Sequence, residues 1–109
     1  MEDISSELAN LLADTQYWIE HGTYSWDEIG VRFHHRLVST HVFANGNGRH
    51  ARLMTDILLF SNGQERFSWG QKTSREAFEV QGGLRDEYIS ALKKADGGDH
   101  EALLRFVRS

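Results

Sequence analysis

The chain has 109 residues, with 12 Lys and Arg against 16 Asp and Glu, a formal net charge of −4, and neither proline nor cysteine. This length is typical of one domain, and the lack of cysteine excludes disulfides and thiolate metal ligands. No apolar run is long enough to span a membrane and the first residues are acidic, so we expect a cytoplasmic protein without a membrane segment. The charge and the lack of a basic stripe interleaved with aromatic residues predict no nucleic-acid binding.

The first 41 residues are typical of two amphipathic helices. Apolar residues between Ile4 and His21 recur at helical spacing, and Gly22 is a typical stop. Ser25 stands three residues before Glu28, a capping-box pattern that predicts a second helix whose last turn reaches His41. The predicted buried stripe of the first helix is Ile4, Leu8, Leu11, Leu12, Thr15, Trp18 and Ile19. That of the second helix is Ile29, Phe33 and Leu37.

A short glycine loop follows, over residues 44–48, and then a third helix. The loop residues favour turn geometry, and the apolar residues after it return to helical spacing. Asn62 and Gly63 predict the end of this helix. The apolar series of the third helix is Ala51, Met54, Ile57 and Leu58.

The last third of the chain predicts further helices. Residues 66–69 are a short strand or an extended loop, and Thr73 with Glu76 forms a second capping box, so a short helix is expected there. After Gly82 and Gly83 we expect a helix from about Leu84 to Ala95, and then a last helix capped by Asp99. We therefore predict a single all-α domain of five or six helices over residues 1–109.

From Ile29 to Thr55 the chain has no Asp or Glu over 27 residues, where uniform spreading of the acids would place about four. The segment also contains four arginines: Arg32, Arg36, Arg49 and Arg52. One interpretation is a binding site for an anionic ligand. The other is a basic face that balances acidic neighbours elsewhere in the fold.

The glycine loop favours the first interpretation. A helix that opens at Gly46-Asn47-Gly48 presents unpaired N–H groups at its positive end, where a phosphate can approach closely. Arg49 and Arg52 lie three residues apart, so both could contact the same phosphates. The alternative is a plain interhelical turn with solvated arginines.

His41 precedes the loop, and an imidazole suits a general base at neutral pH. A structural role is the alternative, as for the pair His34-His35, of which we expect one ring to pack and the other to face solvent. The histidine spacings match no common zinc site.

The twelve residues from His41 to Arg52 read HVFANGNGRHAR. They resemble the signature of the Fic family, H-P-F-x-[D/E]-G-N-G-R-x-x-R. From about Tyr17 to Ser109 the chain is also similar to the C-terminal part of a Fic subgroup called mobile mystery protein B. The resemblance implies an all-α Fic core with a helix–glycine loop–helix motif, whose usual activity is transfer of AMP from ATP to a hydroxyl side chain of a target protein.

The same resemblance implies a role for each matching residue. His41 would deprotonate the Ser, Thr or Tyr hydroxyl of the target, Arg52 would hold the terminal phosphates of ATP, and Phe43 would anchor the loop in the core. The anion hole would consist of Gly46, Asn47, Gly48 and Arg49.

The chain departs from the family pattern at two motif positions. Asn45 stands where the family has the Asp or Glu that holds Mg²⁺, so it is the weak candidate ligand for the Mg²⁺ that the resemblance implies together with ATP. Val42 stands where the family usually has proline. These departures leave two alternatives to adenylyl transfer open. One is a catalytically impaired Fic fold that binds a nucleotide or a partner protein, and the other is a phosphotransferase like the related Doc proteins.

Fic proteins usually place target peptides against a β-hairpin flap upstream of the motif, and no hairpin pattern occurs between Met1 and Ser25. We therefore expect residues 1–109 to be a Fic core that lacks the upstream flap. Many members are restrained by a helix bearing S/T-x-x-x-E-G/N, and no Glu in this sequence is followed by Gly or Asn. We expect such a restraint to come from missing sequence or from another chain, an antitoxin or regulatory chain. The chain would then be the toxin-like half of a bacterial stress or mobile-element module of the toxin–antitoxin kind.

Overall fold

The structure is a computed structural model that describes residues 4–39, 47–71 and 83–109. Across these ranges every regular element is a helix, as the sequence predicts, and no strand is present. The five helices are α1 (Ile4–His21), α2 (Trp26–Ser39), α3 (Asn47–Ser61), α4 (Gly83–Asp96) and α5 (Glu101–Val107). The chain divides into two compact units, Met1–Arg66 and Phe67–Ser109. The prediction of one domain over residues 1–109 stays a prediction.

The helix boundaries of the first unit follow from local signals in the sequence. The helix α1 stops before Gly22, whose φ of 59° lies in the left-handed region that glycine tolerates. The hydroxyl of Ser25 accepts a 3.2 Å hydrogen bond from the backbone N–H of Glu28, so the predicted cap of α2 is confirmed. The helix α3 ends at a turn through Asn62 and Gly63, again as predicted.

The core of the first unit forms where α2 packs between α1 and α3. One side chain from α1, two from α2 and one from α3 form a buried cluster, and partly buried aliphatic side chains surround it. The cluster is Leu11, Phe33, Leu37 and Ala51, and the surrounding residues are Leu8, Val38 and Leu58. The predicted buried face of α2 is thus confirmed, with Ile29 also buried.

The buried face of α3 differs from the predicted one. Ile57 is 57% exposed and Met54 is 36% exposed, whereas Thr55 and Leu59 are completely buried. With Ala51 they form an i, i+4, i+8 stripe, the spacing of a single helix face. In α1, Leu12 is likewise exposed while Leu11 is buried, because two adjacent leucines point about 100° apart around a helix and only one can face α2.

The second unit packs α4 against α5. The predicted helix from Leu84 to Ala95 is confirmed as Gly83–Asp96. The carboxylate of Asp99 accepts a 3.1 Å hydrogen bond from the backbone N–H of Glu101, the first residue of α5. The N-cap position itself is His100, one residue after the predicted cap, and its side chain makes no capping bond. The buried residues of the two helices are Tyr88, Ala91, Ala95, Leu103, Phe106 and Val107.

Residues 66–68 are a loop and not a strand, and a turn begins at Trp69, whose φ is 52°. The backbone N–H groups of Ser68 and Trp69 both donate to the carbonyl of Val107, at 2.8 and 3.2 Å, and tie the loop to the end of α5. The predicted short helix capped by Thr73 and Glu76 lies outside the described residues. Among the helices described, none is long and apolar enough to cross a membrane.

Candidate functional site

The predicted site lies where the chain passes from α2 to α3. The helix α2 ends at Ser39 and α3 begins at Asn47, which places a helix on each side of the glycine-containing motif. Four of the predicted site residues lie outside the described residues, and their roles stay predictions. These are His41, Phe43, Asn45 and Gly46.

The first turn of α3 contains the predicted phosphate-binding residues Asn47, Gly48 and Arg49, of which the structure describes the backbone. The backbone N–H groups of a helix's first residues have no partner within the helix and form the positive end of its dipole. Among the five described helices, α3 alone has no acidic residue in its first turn. The N-terminal end of α3 therefore combines backbone donors that have no partner within the helix, positive potential and a first turn without a carboxylate.

Arg52 lies in the second turn of α3, five residues after the helix begins. Its side chain is half-buried and lies close enough to His34 of α2 for its charge to lower the pKa of that histidine. The positive charge of Arg52 therefore lies near the contact between α2 and α3, one turn after the start of α3.

Two of the four arginines in the acid-free segment are compensated by carboxylates. Arg32 pairs with Glu28 one turn earlier in α2, at 3.1 Å, and stacks over the ring of Tyr24 at 4.2 Å. Arg36 pairs with Asp14 of α1 at 2.6 Å. For these two residues the interpretation of a basic face balanced by acids elsewhere is correct, and both acids lie outside the segment itself.

Of the pair His34-His35, one ring is packed in the core as predicted. His34 is fully buried, while His35 is partly buried and not fully exposed to solvent. Burial lowers the pKa of His34 from 6.5 to about 3, opposed by a hydrogen bond with the backbone of Ala51 and assisted by the charges of Arg52 and His35. The ring is therefore neutral at physiological pH.

A polar contact between α2 and α3 escaped prediction from the sequence. The Nδ1 atom of His34 lies 3.3 Å from the hydroxyl of Thr55, and both side chains are completely buried. Thr55 lies between Met54 and Asp56 in α3. Nothing in this sequence neighbourhood distinguishes it from a surface threonine.

The described residues contain no group of three His, Asp or Glu side chains that could hold a metal ion. Asn45, the predicted metal position of the motif, lies outside the described residues. Its neutral amide is a poorer ligand for a hard cation than a carboxylate, and Mg²⁺ is commonly held by one or two protein ligands together with substrate phosphates. The Mg²⁺ expected with ATP therefore stays a prediction.

Comparison with known proteins adds independent evidence. Residues 2–59 match the model of the Fic/DOC family. The chain is 30% identical over 99 residues to a protein from Caenorhabditis briggsae named "Protein adenylyltransferase fic-1", an alignment that covers 88% of this chain but 17% of that protein. No solved structure matches the chain. Because the family model covers more than half of the 109 residues, and the motif at the start of α3 agrees with it, the chain belongs to the Fic/DOC family.

Proposed function

We propose that the chain is the core of a protein adenylyltransferase, which transfers AMP from ATP to a Ser, Thr or Tyr hydroxyl of a target protein. The observation that carries the proposal is the start of α3, where Asn47, Gly48 and Arg49 of the motif form a first helical turn that has no acidic residue. Membership of the Fic/DOC family and similarity to a protein named as an adenylyltransferase support it.

In this proposal His41 is the general base. It would accept the proton of the target hydroxyl, whose oxygen would then form a bond to the α-phosphorus of ATP. The bond from that phosphorus to the bridging oxygen would break, and pyrophosphate would leave in line. An imidazole with a pKa near neutrality suits such a proton transfer.

The positive end of α3 would bind the phosphates. Backbone N–H groups of Gly46 to Arg49 would stabilise the negative charge on the α-phosphate as the new bond forms, and Arg52 would contact the terminal phosphates. Fixed donors of this kind supply much of the catalysis in phosphoryl and nucleotidyl transfer, because they need no reorganisation as charge develops. Phe43 would hold the preceding loop against the core.

Mg²⁺ would accompany ATP and be held mainly by its phosphates, with Asn45 as the weak candidate ligand of the chain. The expected antitoxin or regulatory chain, the cytoplasmic location, the bacterial toxin–antitoxin setting and the narrower subgroup stay predictions. The chain spans 17% of the length of the Caenorhabditis briggsae protein. The use of a target protein is therefore part of the proposal, and the lack of an upstream flap stays a prediction.

Asn45 favours one rival function, a Fic fold that binds a nucleotide or a partner protein without catalysis. Loss of a carboxylate at the metal position weakens the case for transfer more than the case for phosphate binding, because backbone N–H groups and arginines bind phosphates without a metal. A phosphotransferase like the related Doc proteins is the other alternative, and it would transfer the γ-phosphate of ATP and not AMP.

The first experiment incubates the full chain with a cell lysate and ATP labelled at either the α- or the γ-phosphate. Adenylyl transfer predicts that the chain adds labelling above that of the lysate alone from α-labelled ATP only, and that this added label is lost in His41→Ala. His21→Ala is the matched control, because His21 is exposed at the end of α1 and should leave labelling unchanged. Labelling from the γ-phosphate alone would identify a phosphotransferase, and equal labelling in His41→Ala would remove His41 from the mechanism.

The second experiment measures ATP binding by calorimetry. Arg52→Ala should weaken binding by about tenfold or more, the usual effect of losing one charge-assisted contact. Arg36→Ala is the control, because this arginine is engaged by Asp14 of α1 and should leave ATP affinity unchanged. Binding without transfer by the parent chain would support the rival function, and equal losses in both variants would mean that ATP responds only to overall charge.

A further inference from the structure

His34 is a buried polar group that the proposed chemistry does not use. It lies in α2 with none of its surface exposed, between Phe33 and His35 in sequence and seven residues before His41. A buried imidazole costs free energy unless its N–H group is hydrogen-bonded. The hydrogen-bond partners of His34 therefore show which part of the fold this residue positions.

The direction of the hydrogen bonds around Thr55 follows from their lengths. The hydroxyl oxygen of Thr55 lies 2.7 Å from the carbonyl oxygen of Ala51, and two oxygens this close must share a proton. The single hydroxyl proton of Thr55 is thus donated to Ala51. The Nδ1 atom of His34, 3.3 Å from the same hydroxyl, must then be the donor, and the neutral ring carries its proton on Nδ1.

The resulting chain of hydrogen bonds runs from α2 into the first half of α3. It ends on the carbonyl of Ala51, the residue immediately before Arg52. Thr55 lies three residues after Arg52. The contact between His34 and Thr55 therefore links α2 to the part of α3 that contains Arg52.

We infer that His34 is a positioning residue, which acts through Thr55 and Ala51 to hold the first turns of α3 where Arg52 and the N-terminal N–H groups meet the phosphates of ATP. The inference rests on the proposed function for its consequence in catalysis, although the positioning itself is a property of the fold. The competing explanation is that His34 only stabilises the core.

The chain offers a matched control for this contact. Thr15 of α1 is buried like Thr55, and its hydroxyl donates to the carbonyl of Leu11, also at 2.7 Å and also four residues earlier. Thr15→Val and Thr55→Val each remove one such intrahelical bond and conserve the side-chain shape. Thr55→Val in addition removes the acceptor of His34, so a difference between the two variants reports on the link from α2 to α3.

The first readout is hydrogen exchange of the backbone amides from Ala51 to Thr55 in the full chain. We expect these amides to exchange about tenfold faster in Thr55→Val than in Thr15→Val, and Thr55→Ser to restore most of the protection, since it keeps the hydroxyl. Equal exchange in the two valine variants would overturn the inference. This readout needs neither ATP nor a target, so it decides the positioning even if adenylyl transfer fails.

The second readout is AMP transfer from α-labelled ATP, as kcat/KM for ATP. Displacement of a phosphate-binding group by a fraction of an ångström to one ångström costs about 10- to 100-fold, so we expect that loss in Thr55→Val and in His34→Leu. Their double variant should lose no more than either alone, because both break the same link. Additive losses, or an equal loss in Thr15→Val, would leave His34 with a role in stability only.

A spectroscopic test examines the tautomer directly. The long-range ¹H–¹⁵N spectrum of the histidine rings near neutral pH should show His34 protonated on Nδ1 and not on Nε2. A ring protonated on Nε2 would reverse the hydrogen bond with Thr55 and overturn the inference.

Discussion

Acidification should destabilise the first unit through His34. In the folded chain the pKa of His34 is lowered to about 3, mainly by burial, with Arg52 and His35 as the charged neighbours that lower it further. In the unfolded chain the same ring has its ordinary pKa of 6.5. Between these two values the unfolded state binds a proton that the folded state does not, so the free energy of unfolding falls as the pH falls below 6.5.

The size of this effect follows from the two pKa values. One pKa unit corresponds to about 1.4 kcal/mol, so lowering the pH to about 5 removes roughly 2 kcal/mol, and further acidification removes more until the pH approaches the folded pKa. The loss of unfolding free energy down to about pH 5 depends only on the pKa of His34 in the unfolded chain, because the ring in the folded chain is still neutral there. A loss of this size is a large fraction of the stability of a small domain.

Urea unfolding at about pH 7.5 and about pH 5 measures the loss. His34→Leu replaces the titrating ring with an apolar side chain of related size. Between these two pH values the free energy of unfolding of the parent should fall by about 2 kcal/mol more than that of His34→Leu. Thr15→Val is the control, because it keeps His34 and should retain the parental pH dependence. The same pH dependence in His34→Leu and the parent would refute a buried neutral ring at this position.

Three further changes test the local structure of the first unit. Ser25→Ala removes the N-cap of α2 and should lower the free energy of unfolding by about 1 kcal/mol in the same urea assay. Leu11→Ala opens a cavity at a fully buried position and should cost about 2 to 5 kcal/mol, measured as a lower urea midpoint with an unchanged slope. His50→Glu places an acid in the first turn of α3, so it should stabilise the helix by about 0.3 to 1 kcal/mol and yet weaken ATP binding in calorimetry. Unchanged ATP affinity in His50→Glu would contradict phosphate binding at this helix end.

The boundaries of the helices were predictable because short-range interactions set them. Gly22 ends α1 in a conformation that costs other residues energy, and Ser25 caps α2 through a bond to the helix's own backbone. Each signal acts within four residues, and its outcome does not depend on how the rest of the chain folds.

The buried face of α3 was not predictable because the helix is apolar on more than one side. Ile57 and Phe60 are exposed, at 57% and 72%, while the polar Thr55 is completely buried. Helical periodicity identifies a helix, but the choice between two apolar faces depends on which one fits α2. Thr55 can occupy the chosen face because its hydroxyl is satisfied by Ala51 and by His34.

Similar reasoning applies to the positive charge of the acid-free segment. Arg32 and Arg36 lie in that segment, yet they pair with Glu28 and Asp14, two acids that lie before the segment begins at Ile29. A count of charges within the segment therefore overstates the positive potential of α2, because the preceding helical turn and the neighbouring helix place carboxylates next to its arginines. At the start of α3 no acid of the first turn does this, and the backbone N–H groups add potential that no residue count includes. The case for an anionic ligand thus depends less on the number of arginines than on where α3 begins, which is the feature that the glycine motif predicts.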